Sequence, residues 1–311
     1  MKWINKDKGN DKADAEQVVK DYLNNCCLQD GRYQNVRYDK RDSGNGQCFC
    51  NADGGNYRRR FTNILLRNQS GYCCYCMRKL KTAQNEIDSD EVVTREHIIP
   101  RGFTVADTNK VSSYYQQCQE LSVANVILTD KFEDESHNQN YDLPPFPHKV
   151  AYNNLVASCN GTFPYVRNEK GSKQKICCNE KREEKDAFPI YFIQNVEELI
   201  EYCSNGEIQA RNLASNDIQA KICDVINNTS LDCNPLKDIR YLWYILSHVP
   251  KERIYGCRNE SQRDALFSEI LYSNEFFGPR IPNIHTCFIK DVFWETFLLY
   301  DFFYDVYHST I

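Results

Sequence analysis

A chain of 311 residues, 41% of them apolar, is long enough for two modest domains and can bury a core, which excludes a wholly disordered protein. Its formal net charge of −5 excludes a uniformly basic nucleic-acid binder, although an acidic chain can still carry a local basic face. Sixteen cysteines follow an opening stretch, MKWINKDKGNDKADAEQ, that has no apolar core of the signal-peptide kind. The expectation is a cytoplasmic chain with reduced thiols, some of them on metal.

Residues 1–60 read as an N-terminal extension with one helix, Ala13 to Leu23, followed by the breakers RDSGNGQ and NADGGN. Cys26, Cys27, Cys48 and Cys50 lie here at a spacing that matches no common zinc pattern, so their role stays open. Arg58, Arg59 and Arg60 form the one compact basic cluster, either a phosphate contact or a solvated helix start. In RRFTNILLRNQSG, Phe61, Ile64 and Leu65 share a helical face and Gly71 marks the stop. The helix leads into YCCYC. EVVTREHIIP and KVAYNNLVAS are strand candidates, separated by an insertion at 104–147, with Pro144, Pro145 and Pro147 near its end, that is expected to form a protrusion. A loop, TFPYVRNEKGSKQK, and a charged helix start, NEKREEKD, close the region 61–190. Residues 191–311 read as helical throughout: NVEELIEYC, DIQAKICDVI, IRYLWYILSHV, SQRDALFSEILY and an aromatic last segment. In that segment Phe288, Phe293, Trp294, Phe297, Phe302 and Phe303 suit a helix core better than a stacking surface. Lys290, Asp291, Glu295, Asp301 and Asp305 interrupt it, so a membrane span is not expected.

Cys73-x-x-Cys76 alone carries little information in so cysteine-rich a chain. Its context carries more. Glu96-His97-Ile98-Ile99-Pro100, Tyr152-Asn153-Asn154-Leu155, Cys159, and Cys178-Asn179-Glu180-Lys181-Arg182 follow it in order. Over roughly residues 60–190 the sequence resembles the HNH (ββα-metal) endonuclease family, most of all the nuclease subunits of Septu-type anti-phage systems.

The resemblance implies an α+β fold: a zinc-stabilised ββα-metal core, domain 61–190, between the N-terminal extension and a mostly helical C-terminal domain, 191–311. The zinc quartet would be Cys73, Cys76, Cys159 and Cys178, with Cys74 an alternative to Cys73 and Cys177 to Cys178. Four thiolates on tetrahedral zinc can supply of the order of 10 kcal/mol of folding free energy. His97 suits the general base, since an imidazole is partly neutral near neutral pH and accepts a proton from water. The resemblance further implies Glu96 and Asn179 as ligands of a hard cation such as Mg²⁺, with Glu180 able to replace Asn179. It implies Asn154, or Asn153, as the residue that holds the loop carrying the histidine. Lys181 and Arg182 become phosphate contacts to DNA. An ATPase partner is implied too, with the helical region after residue 190 as its docking surface. The pattern departs from the family in its long 104–147 insertion, in eighteen residues between Cys159 and Cys178, and in Asn179 where histidine is common. The competing expectation is a zinc-stabilised module that binds nucleic acid or protein without hydrolysis, for which His97 would be dispensable.

Overall fold

The computed structural model describes residues 1–51, 56–80, 93–134, 143–182, 185, 187–212, 214–272, 290, 292–295, 297 and 299–308. The fold is mixed α and β, with short two-stranded sheets among many helices. The chain divides into two compact units, Met1–Asn160 with Glu183–Val196, and Gly161–Arg182 with Glu197–Ile311. The three-part division expected above draws its boundaries elsewhere. The N-terminal extension is part of the first unit, and residues 161–182 cluster with the C-terminal region.

In the first unit, helix α1 (Asp11–Tyr22) buries Ala15, Val18, Val19 and Tyr22, a stripe at three- and four-residue spacing. It packs on α2 (Tyr57–Asn68), which buries Tyr57, Phe61, Ile64 and Leu65. The Tyr22 ring meets Tyr57 and Phe49 edge-on at 5.7 and 5.2 Å. Arg67, in the last turn of α2, pairs with Asp11 at 2.5 Å and with Asp14, both in the first turn of α1. Each charge complements the dipole of its own helix end. The two-residue pair Ser70 and Gly71, both at positive φ, then ends α2, with the Gly71 N–H returning to Leu66 O.

Strands β1 (Thr94–His97) and β2 (Leu155–Ser158) pair antiparallel, with Thr94 opposite Ser158 and His97 opposite Leu155. Residues 91 and 92 of the expected strand lie outside the described residues. The expected protrusion at 104–147 is instead built into the unit; residues 135–142 of it lie outside the described residues. Val111, Tyr115, Leu121, Val126, Phe132 and Phe146 are buried, and Val126–Ile127 pairs in parallel with Phe146–Pro147. Glu133 accepts from the Val36 N–H at 2.9 Å, and Asn153 donates to Glu120 O at 2.9 Å. A segment with this much buried apolar surface has a core of its own, and its turn-forming residues serve to fold it back.

The second unit opens with the hairpin β3 (Thr162–Arg167) and β4 (Lys173–Lys175), then the single-turn helix α3 (Asn179–Arg182). Gly161, at φ +67°, passes so close to Cys177 that an added Cβ would lie 2.2 Å from the Cys177 carbonyl oxygen. Only glycine fits there. The expected helix NVEELIEYC stops early, because Ile200–Tyr202 forms a strand, β5, paired with β6 (Ile208–Ala210). Alternating burial, with Ile200 and Tyr202 inside and Glu201 between them, is the period of a strand. The remaining helices are α4 (Asn216–Asn228), α5 (Asn234–Ser247), α6 (Lys251–Gly256), α7 (Glu260–Tyr272) and α8 (Tyr300–His308). Trp243 of α5 stacks on Phe303 of α8 at 3.9 Å, and Phe293 and Phe303 are buried, so these aromatic residues form core; Phe288 lies outside the described residues. Among the described residues no helix is long and apolar enough to cross a membrane.

Candidate metal centre and the His97 strand

The stop at Gly71 turns the chain sharply into the cysteines. Cys73 N–H donates to Arg78 O, and Met77, at φ +63°, returns its N–H to Cys73 O, so Cys73 and Cys76 sit on one tight turn. Cys74 N–H donates to Ala157 O and docks that turn on β2. The Cys159 N–H points at the Cys73 sulfur (3.3 Å), and the sulfurs of Cys76 and Cys159 are 3.7 Å apart. The ligand atoms of Cys73, Cys76, Cys159 and Cys178 all lie within 4.8 Å of one another, and all four residues are buried. A tetrahedron with zinc–sulfur bonds of about 2.3 Å has sulfur–sulfur edges of roughly 3.8 Å. A backbone N–H aimed at sulfur suits a thiolate ligand. The donor set therefore fits zinc, and Cys74 and Cys177 fall outside the group. Among the described residues this is the one such group, so Cys26, Cys27, Cys48 and Cys50 form none.

His97 ends β1. Its Nε2 lies 2.8 Å from Lys149 O, and a carbonyl can only accept, so Nε2 carries the proton and Nδ1 the basic lone pair. Burial pushes its pKa well below the usual imidazole range; the bond to Lys149 opposes this, while the charges of Arg101, His148 and Arg95 add to it. The ring is held neutral, as a proton acceptor must be.

Asn154 is fully buried, and its side chain binds the loop that follows the histidine. Its Oδ1 accepts the Ile99 N–H at 2.6 Å, and its Nδ2 donates to Ile99 O at 3.0 Å and His148 O at 2.7 Å. Its own carbonyl accepts from Ile98 N–H. Asn153, the fallback, is spent on Glu120 instead.

Glu96 is a correction. Alternate residues of a strand face opposite ways, and Arg95 and His97 share the face on which both meet Tyr38, at 2.5 Å from Arg95 Nε to Tyr38 Oη and 4.4 Å between the His97 and Tyr38 rings. Glu96 turns to the other face, buried, and accepts from the Tyr75 hydroxyl at 3.3 Å. The resemblance puts Glu96 beside His97 as a cation ligand, whereas the strand places it on the opposite face. Asn179 opens α3 in the second unit, and Glu180, its alternative, pairs with Lys175 at 2.7 Å. Arg182 is a second correction: at 2% exposed its guanidinium is closed to a phosphate, whereas Lys181 is exposed.

Sequence reasoning missed Tyr38, Asp39, Arg95 and Arg101. Strand alternation would have placed Arg95 beside His97. Nothing in the turn-rich stretch around Tyr38 signals that its ring reaches the imidazole. No family model matches the chain, and neither the curated proteins nor the solved structures give a match.

Proposed function

We propose that this chain is an endonuclease of the HNH type that hydrolyses phosphodiester bonds in DNA, with His97 as general base and a structural zinc on Cys73, Cys76, Cys159 and Cys178. The observation that carries the reading is the tautomer of His97. A backbone carbonyl holds the Nε2 proton, so Nδ1 is the nitrogen that accepts a proton from an attacking water. Asn154 supports it by clamping the loop on which the ring depends. Zinc, when bound, supplies fold stability alone.

The hard cation implied by the resemblance, Mg²⁺, gains no support from Glu96, which lies on the opposite face of the strand from His97. The positive charge on that face belongs to Arg95 and Arg101, and the exposed Arg58 and Arg59 extend the basic character of the unit. An anti-phage role in the cytoplasm with an ATPase partner belongs to the same proposal and rests on the resemblance alone. The decisive experiment is DNA cleavage, or toxicity in cells with any adjacent ATPase, by wild type and His97→Ala. A variant as active as wild type overturns the enzyme and leaves a zinc-stabilised binding module.

A further inference from the structure

Arg101 follows β1 by four residues and meets two carboxylates from the N-terminal extension. Its Nη1 lies 2.7 Å from Asp39 Oδ2 and 3.5 Å from Asp42 Oδ1. Its guanidinium stands over the Tyr38 ring at 5.6 Å, and the far side of this group is the Tyr38–His97 contact at 4.4 Å. Arg101 is close enough to act on the His97 charge. Tyr38 is buried, while residues 40, 41, 43, 44, 45 and 47 of the turn that follows are exposed, so the segment lies on the His97 face with its outer edge in solvent.

Two features separate Asp39 from Asp42. Asp42 is structural: its Oδ2 accepts the N–H groups of Tyr38 and Asp39 and closes the turn. Asp39 Oδ1 accepts the Arg41 N–H, and its Oδ2 is shared by the guanidiniums of Arg41 and Arg101, at 2.7 Å from each. Burial pushes the Asp39 carboxyl up, but hydrogen bonds from Arg41 and Arg101 outweigh it and hold the group ionised, well below the usual carboxylate range. A guanidinium fork accepts a carboxylate or a phosphate with the same geometry. Asp39 thus holds the guanidinium of Arg101, which stands over the same Tyr38 ring that meets His97 edge-on.

We propose that Arg101 is a phosphate-binding residue of the His97 site and that Asp39 occupies it in the resting chain, so that the segment around Tyr38 inhibits the site in cis. This rests on the reading of His97 as the base of a nuclease. Activation then means exchange of one anion for another: a DNA phosphate takes Arg101, Asp39 leaves, and Tyr38 lifts from the imidazole.

The test measures binding separately from cleavage. Anisotropy of a short fluorescein-labelled DNA duplex, without added divalent cation, is followed for wild type, Asp39→Asn, Arg101→Ala and the double variant. Asparagine keeps an acceptor for the Arg41 N–H but puts an amide NH2 where the carboxylate oxygen met Arg41 and Arg101, so it removes the charge and the ion pair together. Asp39→Asn should bind about five- to tenfold tighter, with a salt slope steeper by about one counterion. Arg101→Ala should remove that gain, since a general loss of negative charge would tighten binding with or without Arg101. No gain, or a gain that survives Arg101→Ala, overturns the proposal. If Asp39→Asn fails to fold, Asp39→Ser, which also keeps an acceptor for the Arg41 N–H, takes its place in the same cycle with the same expected gain and the same overturning results. The His97→Ala cleavage assay is independent of this cycle. Failure there removes the nuclease reading and leaves a masked anion site, whereas failure of the cycle leaves the nuclease without this form of inhibition.

Discussion

Replacing Asn154 by alanine should cost more stability than replacing His97, although only His97 is given a chemical role. The Asn154 side chain makes three hydrogen bonds in a fully buried position, one accepted from Ile99 N–H and two donated to Ile99 O and His148 O. At about 1 kcal/mol net for each bond, the loss is roughly 3 kcal/mol, and more if the orphaned backbone groups stay dry. For a unit of this size that corresponds to a fall in Tm of roughly 6–12 °C. Asn154→Asp is the sharper probe. It keeps an acceptor for the Ile99 N–H but turns an oxygen toward two carbonyls, so it should do no better than alanine. Thermal melts followed by circular dichroism, with cleavage measured alongside, give both readouts. A melting point within about 2 °C of wild type for Asn154→Ala would refute the clamp, since an unused side chain has no bonds to lose.

Purified protein should hold close to one zinc per chain by metal analysis, and Cys73→Ser or Cys159→Ser should lose it and misfold; normal folding without zinc would remove the assignment. His97→Ala should lower the cleavage rate by about 10² to 10⁴, with zinc content and Tm near wild type, since a positioned base contributes that much to rate and little to folding; equal stability loss and rate loss would mark the ring as structural. Deletion of residues 104–134 should unfold the first unit, as shown by loss of a cooperative melt, because Tyr115, Leu121 and Phe132 are buried there. A stable, zinc-loaded deletion variant would restore the protruding loop.

Local signals were legible wherever they served one element. The α2 stripe, the Gly71 stop and the two strands around His97 and Asn154 could be read from residue order, and the grouping of Cys73, Cys76, Cys159 and Cys178 from the family resemblance. What could not be read depends on contacts distant in sequence. The insertion looked like a loop because its breakers are local, whereas the Val126–Phe146 pairing and the Glu133 bond to Val36 join separated residues. Glu96 entered as a ligand through the family resemblance alone, and the strand places it on the opposite face from His97. Arg182 looked available because charge is visible in a sequence and burial is not. Tyr38 and Asp39 carried no motif; their place beside His97 and Arg101 follows from packing alone.

The cysteines and Asn154 act on the same four-residue strand pair from opposite ends. An isolated two-stranded sheet is marginal in water, and one this short has no independent stability. At the Thr94 end, Thr94 Oγ1 donates to Ser158 O at 3.0 Å, and the Cys159 N–H reaches the Cys73 sulfur. On the outer edge of β2, the Gln69 amide both accepts from and donates to the Ala157 backbone, at 2.7 and 2.9 Å, in place of a further strand. At the His97 end, Asn154 binds Ile99 and His148. The two ends fix the register. A slip of one residue would exchange the faces of the strand, sending Arg95 and His97 toward Tyr75 and bringing Thr94 and Glu96 to Tyr38. A metal centre on this framework therefore bears on the chemistry proposed for His97 by setting which side chain stands at that position.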